Sequence, residues 1–320
     1  MKISELESEL KKSSAYAYPE GKRAIDKALP KMYEAEAVAK TDEVSRITQK
    51  LTEELERILA TLAPPSFPEA AELLRDFETQ FGERLNELDA FGIIDKANPK
   101  ITGIDNKEYA PPSWEQIKAA LTSEKLRLIA QLENPTLLLV PDGMSLSEYV
   151  DKAGKDKPAP KRKLPWNNAT DIDLDADKRG KLISDAATYD KTNHRGKTKM
   201  ERLAEPGALG WQVFVVDGGD EVPESTLGKT ADDLLTRFRA QGFSGLSVEA
   251  IFALQMHGQV RGKQFDTQKY GWLLESYLTS LGSRGVVLCS GWNGSHVRLI
   301  RYGSGDSFGA VGVRRSVRVL

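Results

Sequence analysis

The spacing of apolar residues changes character once along this chain, near residue 205, and that change constrains the fold more than any other feature. Upstream, apolar residues recur every three or four positions, the spacing of one helix face. Downstream they come in short β-branched and aromatic runs separated by glycine turns. A chain of 320 residues has room for about two domains of ~100–200 residues each. With 40 % hydrophobic residues it can build real cores, so a wholly disordered chain is excluded.

The first half reads as helices. Val44, Ile47, Leu51, Leu55, Ile58, Leu59 and Leu62 share one face, and Pro64, Pro65 and Pro68 stop the run. Leu74, Phe77, Phe81, Leu85, Leu88 and Phe91 form a second run, which predicts an antiparallel helical hairpin. An earlier helix over 21–40 should break or kink at Pro30. A further helix is expected over 113–132, with Ser113 as N-cap and Gln116 completing a capping box. Nothing in this half is catalytic in pattern. It predicts a packed bundle, with oligomerisation or docking to a larger assembly as the alternative role.

Thr136 to Val140 is a short apolar run ending in Pro141-Asp142-Gly143, the pattern of a buried strand, and a short helix is expected over 145–153. The Lys- and Pro-rich stretch over 151–170 reads as a linker. Asp171, Asp173, Asp175 and Asp177 alternate as in a calcium loop, but that pattern needs Gly at its sixth position and Glu at its twelfth. Ala176 and Leu182 stand there, which disfavours calcium.

From Gly210 the chain predicts one strand over 211–216, a helix over 230–241 and a second helix capped by Ser247 and ended by Gly258. Short strands follow around 270–274, 286–292, 297–302 and 311–319. The last strand is expected beside the first, closing a loop of about a hundred residues in an α+β arrangement. The domains expected are therefore a mostly helical 1–150, a linker and irregular segment over 151–204, and an α+β domain over 205–320.

This order, with the ending Gly-Ala-Val-Gly-Val-Arg-Arg-Ser-Val-Arg-Val, resembles the C-type-lectin-like fold. It is most similar to the branch shared by formylglycine-generating enzymes and the variable proteins of diversity-generating retroelements. The motifs are Gly245-Leu246-Ser247-Val248-Glu249-Ala250 opening the second helix, Tyr270-Gly271-Trp272-Leu273, and a closing Gly312-Val313-Arg314. The resemblance covers about a third of the chain and leaves the helical half unexplained.

The enzymes of that branch use paired cysteines with copper, and related iron enzymes use a His/carboxylate cluster. This chain has one cysteine, Cys289, in an apolar strand, and its histidines, His194, His257 and His296, lie far apart. No Gly-x-Ser-x-Gly elbow stands between a strand and a helix. The reading therefore favours a non-enzyme with no catalytic residue, cofactor or metal. An enzyme or degenerate enzyme of the formylglycine-generating type, acting through Cys289 or a histidine, is the alternative.

What is left is recognition. Residues 290–308 are dense in Asn, Ser, His, Arg, Tyr, Asp and Gly, which offer adaptable contacts. The resemblance implies that Trp292, Asn293, Ser295, His296, Arg298, Arg301, Tyr302, Ser304, Asp306 and Phe308 are the diversified, ligand-contacting set. Ordinary surface strands would alternate in the same way, with Val297, Leu299 and Ile300 as buried partners. The partner expected is a protein or glycan.

Charge adds a weaker option. Residues 1–150 carry a net −8 and residues 151–320 a net +6, with six Arg against one acid, Asp306, from Arg284 onward. Nucleic acid is disfavoured all the same, because no groove-reading motif or interleaved aromatic-basic pattern occurs. No apolar run is long enough to span a membrane and the charged N-terminus is unlike a signal peptide, so the expected location is cytoplasmic.

Overall fold

The computed structural model describes residues 7, 11, 25–31, 68–155, 162–168, 172–184, 189–190, 196–278 and 285–320. The chain divides into two units, Met1–Ala70 and Ala71–Leu320. In the first, residues 25–31 are helical with Pro30 inside the helix, and Ile25 and Leu29 are buried. The rest of the helix expected over 21–40, and the whole run from Val44 to Leu62, lies outside the described residues.

The helices of the second unit follow the signals in the sequence. α1 (Pro68–Ala90) is the expected second apolar run. The helix expected over 113–132 is instead two, α2 (Trp114–Ala120) and α3 (Ser123–Ile129). The Ser113–Gln116 capping box opens the first. Thr122 interrupts the run because its side chain accepts from Lys125 N and caps the second. α4 (Leu146–Gly154) is capped by Ser145, and α5 (Lys199–Leu203) by a Thr198–Glu201 capping box. α6 (Ala231–Gln241) runs from Thr230 to a left-handed Gly242.

α7 (Val248–Arg261) starts at the expected cap, Ser247, but passes through Gly258 and ends at left-handed Gly262. Gly258 serves packing instead of termination: a Cβ there would stand 2.6 Å from the Lys263 carbonyl and 2.9 Å from the Phe265 ring. Residues Val248 to Met256 are buried on every side. A helix with apolar residues all round has no face to give to water, so the rest of the unit surrounds it.

Three sheets occur among the described residues. β1 (Ile101–Thr102) and β2 (Glu108–Tyr109) form a small hairpin. The central sheet has β6 (Gln212–Asp217) between β3 (Pro135–Val140) and β11 (Ser316–Arg318), all antiparallel. Val215 faces Val317, so the last strand does lie beside the first strand of the expected C-terminal domain. β3 was expected within a helical domain ending at 150. Its backbone groups need a partner and find one in β6. Gln80 of α1 caps its other edge, taking Leu137 N at 2.7 Å on its carbonyl and reaching the Pro135 carbonyl with its amide at 3.4 Å.

The largest sheet runs β10 (Val311–Gly312), β7 (Tyr270–Leu278), β8 (Val286–Asn293), β9 (His296–Gly303), β4 (Trp166–Asn168), and β5 (Leu182–Ile183) also pairs with β7. β4 and β5 come from the stretch expected to be linker and irregular segment. Leu164 is buried, and the Trp166 ring stands edge-on to Phe252 of α7 at 6.2 Å. The expected boundaries at 150 and 205 are therefore not divisions of the unit. An α+β architecture holds, and no helix among the described residues is long and apolar enough to cross a membrane.

Two buried ion clusters tie the layers together. Lys199, Asp177 and Glu249 are fully buried, with Lys199 Nζ 3.1 Å from Asp177 and 2.7 Å from Glu249, and it donates to the Met144 carbonyl at 2.7 Å. Burial alone would pull Lys199 down, but Glu249, Asp177 and Asp142 outweigh it and hold the ammonium above the usual lysine value. Asp173 and Asp175 pair with Arg179, and Asp175 also with Lys178. The alternating acids of this segment thus face cations, while Asp171 lies outside the described residues.

Arg314 forms the second cluster. It donates to Asp266 through Nε at 3.0 Å and Nη2 at 2.6 Å. It also donates to the carbonyls of Asp217, Gly219 and Asp220 at 2.7 to 3.0 Å, which fills all five guanidinium N–H groups. Removing one partner of such a pair strands a buried charge. Arg314→Met is expected to lower the unfolding free energy by about 3–5 kcal/mol, read from urea denaturation. Lys199→Met, which strands two carboxylates, should cost about as much; a loss under about 1 kcal/mol in either variant would show that the cluster is peripheral to stability.

Candidate binding face

The sheet residues of β8 and β9 sort by alternation. Asn293 pairs with His296 across Gly294-Ser295. Gly294 has a φ of 65 and Ser295 does not take a positive φ, as a type II′ turn demands. The hairpin register then puts His296, Arg298, Ile300 and Tyr302 on one face, directly opposite Asn293, Gly291, Cys289 and Val287. Val297 and Leu299 point the other way and are fully buried.

The ten residues expected to contact a ligand divide along these lines. Asn293, Ser295 and His296 are exposed at the hairpin tip, and Ser295 Oγ lies 2.8 Å from His296 Nδ1. Arg298 and Tyr302 are half-buried on the outer face. Phe308, 37 % exposed, sits with its ring 4.3 Å from that of Tyr302. Asp306 is half-buried and its carboxylate accepts from Gly303 N at 2.9 Å, shaping the loop after β9. Arg301 alternates onto the same side as Val297 and Leu299 and is half-buried near the strand end.

Two of the ten belong to the scaffold. Trp292 is buried on the inner face, and its indole donates to Gln255 Oε1 of α7 at 2.7 Å. That carboxamide is itself held, since Gln255 Nε2 donates to the Phe265 carbonyl. Ser304 is buried and donates to Asp232 at the start of α6 at 2.9 Å. Composition could not separate them from their exposed neighbours, because the separation depends on strand register. Ile300, expected to be buried with Val297 and Leu299, is half-exposed on the outer face.

Trp272 of β7 was missed as a part of this face. Its ring meets Tyr302 edge-on at 6.0 Å and Phe308 at 6.4 Å, and its indole donates to the Lys229 carbonyl at 3.3 Å. It is the buried floor on which the two outer rings rest. Its register pairing with Cys289 is the reason, and no residue spacing reveals that pairing.

Cys289 is fully buried, and burial pushes its thiol far above the usual range. Burial also pushes the Tyr302 phenol up, with Cys289 and Tyr270 adding to the shift and Arg298 opposing it. His257 stands elsewhere with Nδ1 3.0 Å from Glu87, and His194 lies outside the described residues. The cavities of about 450, 340 and 180 Å³ in this unit are lined by other residues.

Three of the C-terminal arginines face acids. Arg314 is buried on Asp266, Arg315 pairs with Asp217 at 3.4 Å, and Arg318 pairs with Glu275 at 2.5 Å. Arg284 lies outside the described residues. Comparison of the chain with family models, with curated proteins and with solved structures finds no match.

The division between scaffold and display is measurable. Trp292→Ala should destabilise by about 3–5 kcal/mol. Substitutions at His296 and Ser295 should stay within about 0.5 kcal/mol, read from denaturant midpoints. Native Cys289 should react with iodoacetamide at least about 100-fold more slowly than the unfolded chain; equal rates would mean that the strand pair opens freely.

Proposed function

We propose that the chain is a non-enzymatic recognition protein whose binding surface is the outer face and tip of the β8–β9 hairpin, carried on a C-type-lectin-like domain. The observation that carries this reading is the two-sided hairpin. Its inner residues are locked into the core by Val297, Leu299 and Trp292, while Asn293, Ser295, His296, Arg298, Tyr302 and Phe308 line the other side and the adjoining loop. Side chains on that side can change without disturbing the backbone that displays them.

The fold reading draws on the order of one strand, two helices and antiparallel strands, with the last strand beside the first. It draws also on Gly312-Val313-Arg314, whose arginine closes the unit from inside. The exposed residue types are those that adenine mutagenesis of codons favours, which supports diversification by a retroelement. The ligand is then a protein or glycan surface met by aromatic rings, an arginine and amide or hydroxyl groups.

The test is to sequence the genomic neighbourhood for a near-copy of the codons for residues 290–320 beside a reverse transcriptase. A copy differing only at adenines, and chiefly at the outer-face and tip positions, is the expected result. A copy whose adenine positions fell instead on Val297, Leu299 and Trp292 would sink the assignment of the face. The lack of any copy would end the diversification reading.

A further inference from the structure

On the side of the unit formed by α1 and the last turn of α7 lies a polar cavity of about 450 Å³, lined by Arg84, Arg261, Lys263 and His257 and by the carboxylates Asp76 and Glu83, among others. Arg84 is its unusual member. Its side chain is 3 % exposed, a level at which charged groups are normally fully paired. Nη2 donates to Glu83 at 3.1 Å. Glu87 lies 3.0 Å from Nε but out of hydrogen-bond alignment, and Nη1 has no hydrogen-bond partner.

The neighbouring carboxylates are divided. Glu83 also pairs with Arg261 at 2.7 Å, and Glu87 also meets His257 Nδ1 at 3.0 Å. Lys263 pairs with Asp220, and Asp76 accepts from Gln80 Nε2 at 2.8 Å. Two acids thus serve Arg84, Arg261 and His257 together. Burial pulls the Arg84 guanidinium below its ordinary value, with Glu87 and Glu83 only partly opposing. A buried cation with donors to spare, beside an open polar space, is the complement of an oxyanion.

We infer that this cavity is a binding site for a small oxyanion, the phosphate or carboxylate group of a small molecule, with Arg84 as its buried anchor and Arg261 and Lys263 as the further cations of its wall, in excess over the lining acids Asp76 and Glu83. The site is separate from the hairpin face and stands whether or not the recognition reading holds. The aromatic Phe265, which lines the same cavity with Lys263 Nζ 4.8 Å from its ring centre, offers an apolar wall for the remainder of such a ligand.

The experiment is thermal unfolding of the full chain in 10 mM inorganic phosphate or 10 mM succinate (about ten times a millimolar Kd) against chloride at equal ionic strength. Phosphate, succinate or both should raise Tm by about 3–5 °C, and which anion does so names the group recognised. Arg84→Gln should abolish the rise. Because that variant strands Glu83 and Glu87 and can fail to fold, Arg261→Gln is the second arm. Arg261 is solvent-facing, and its loss frees Glu83 to neutralise Arg84, so the rise should fall by at least half. Arg298→Gln on the hairpin should leave the rise unchanged. No rise with either anion, or a rise undiminished in Arg261→Gln, overturns the assignment, the latter because general salting effects of phosphate act without a site.

Discussion

A helix buried on every side dictates most of this unit. Nothing on α7 between Val248 and Met256 is given to solvent, yet the stretch holds two polar residues, Glu249 and Gln255. Each must be answered inside the protein, because an unmet carboxylate or carboxamide in the core is costly. Lys199 answers Glu249, and Trp292 and Phe265 answer Gln255. Those two answers draw in distant chain segments. Lys199 brings with it Asp177 and the segment around it, which polar composition alone makes look like a tether. Trp292 is turned inward, although its neighbours in sequence are surface residues.

Closure of the unit depends on a second buried cation. Arg314 reaches across from the chain end to Asp266 and to three carbonyls of the turn after β6. It sits two residues before β11, so the same segment that pairs with β6 also carries the clamp. β7 supplies a third tie. It leaves β8 between Trp272 and Tyr277, and there Glu275 N–H donates to the Leu246 carbonyl while Ser276 Oγ accepts from Val248 N. The start of α7 is thereby fixed to the sheet that carries the hairpin.

Local signals were the legible part of this structure. The caps at Ser113 and Ser247, the helices α4 and α6, and the strands at β3 and β6 to β9, follow from residues within a few positions of one another. The domain boundaries were not legible, because β3, β4 and β5 owe their place to partners between 72 and 131 residues away in sequence. Gly258 misled for a different reason, close packing. In sequence a glycine late in a helix reads as a stop, whereas here it makes room for Phe265. Within the candidate face the residue types were legible and their direction was not. Trp292 and Arg301 alternate onto the inner side, and only the β8–β9 register says so.

The hairpin follows from these constraints. Its inner side is bound to α7, and its far end is held by Ser304 on Asp232 and by Asp306 on Gly303 N. The strands cannot shift by one residue, since that would turn Val297 and Leu299 to solvent and Arg298 and Tyr302 to the core. The outer residues are therefore held in direction by groups they do not touch. Trp272 extends that logic to the aromatic part: Tyr302 and Phe308 rest on a buried ring anchored to the Lys229 carbonyl. In the proposed recognition role, a surface so fixed would lose little freedom when a partner binds, and affinity would depend on the identity of a few exposed side chains more than on ordering the loop. That separation of a rigid inner side from an exposed outer one is what the proposed recognition role would require of a scaffold that meets different ligands with one fold.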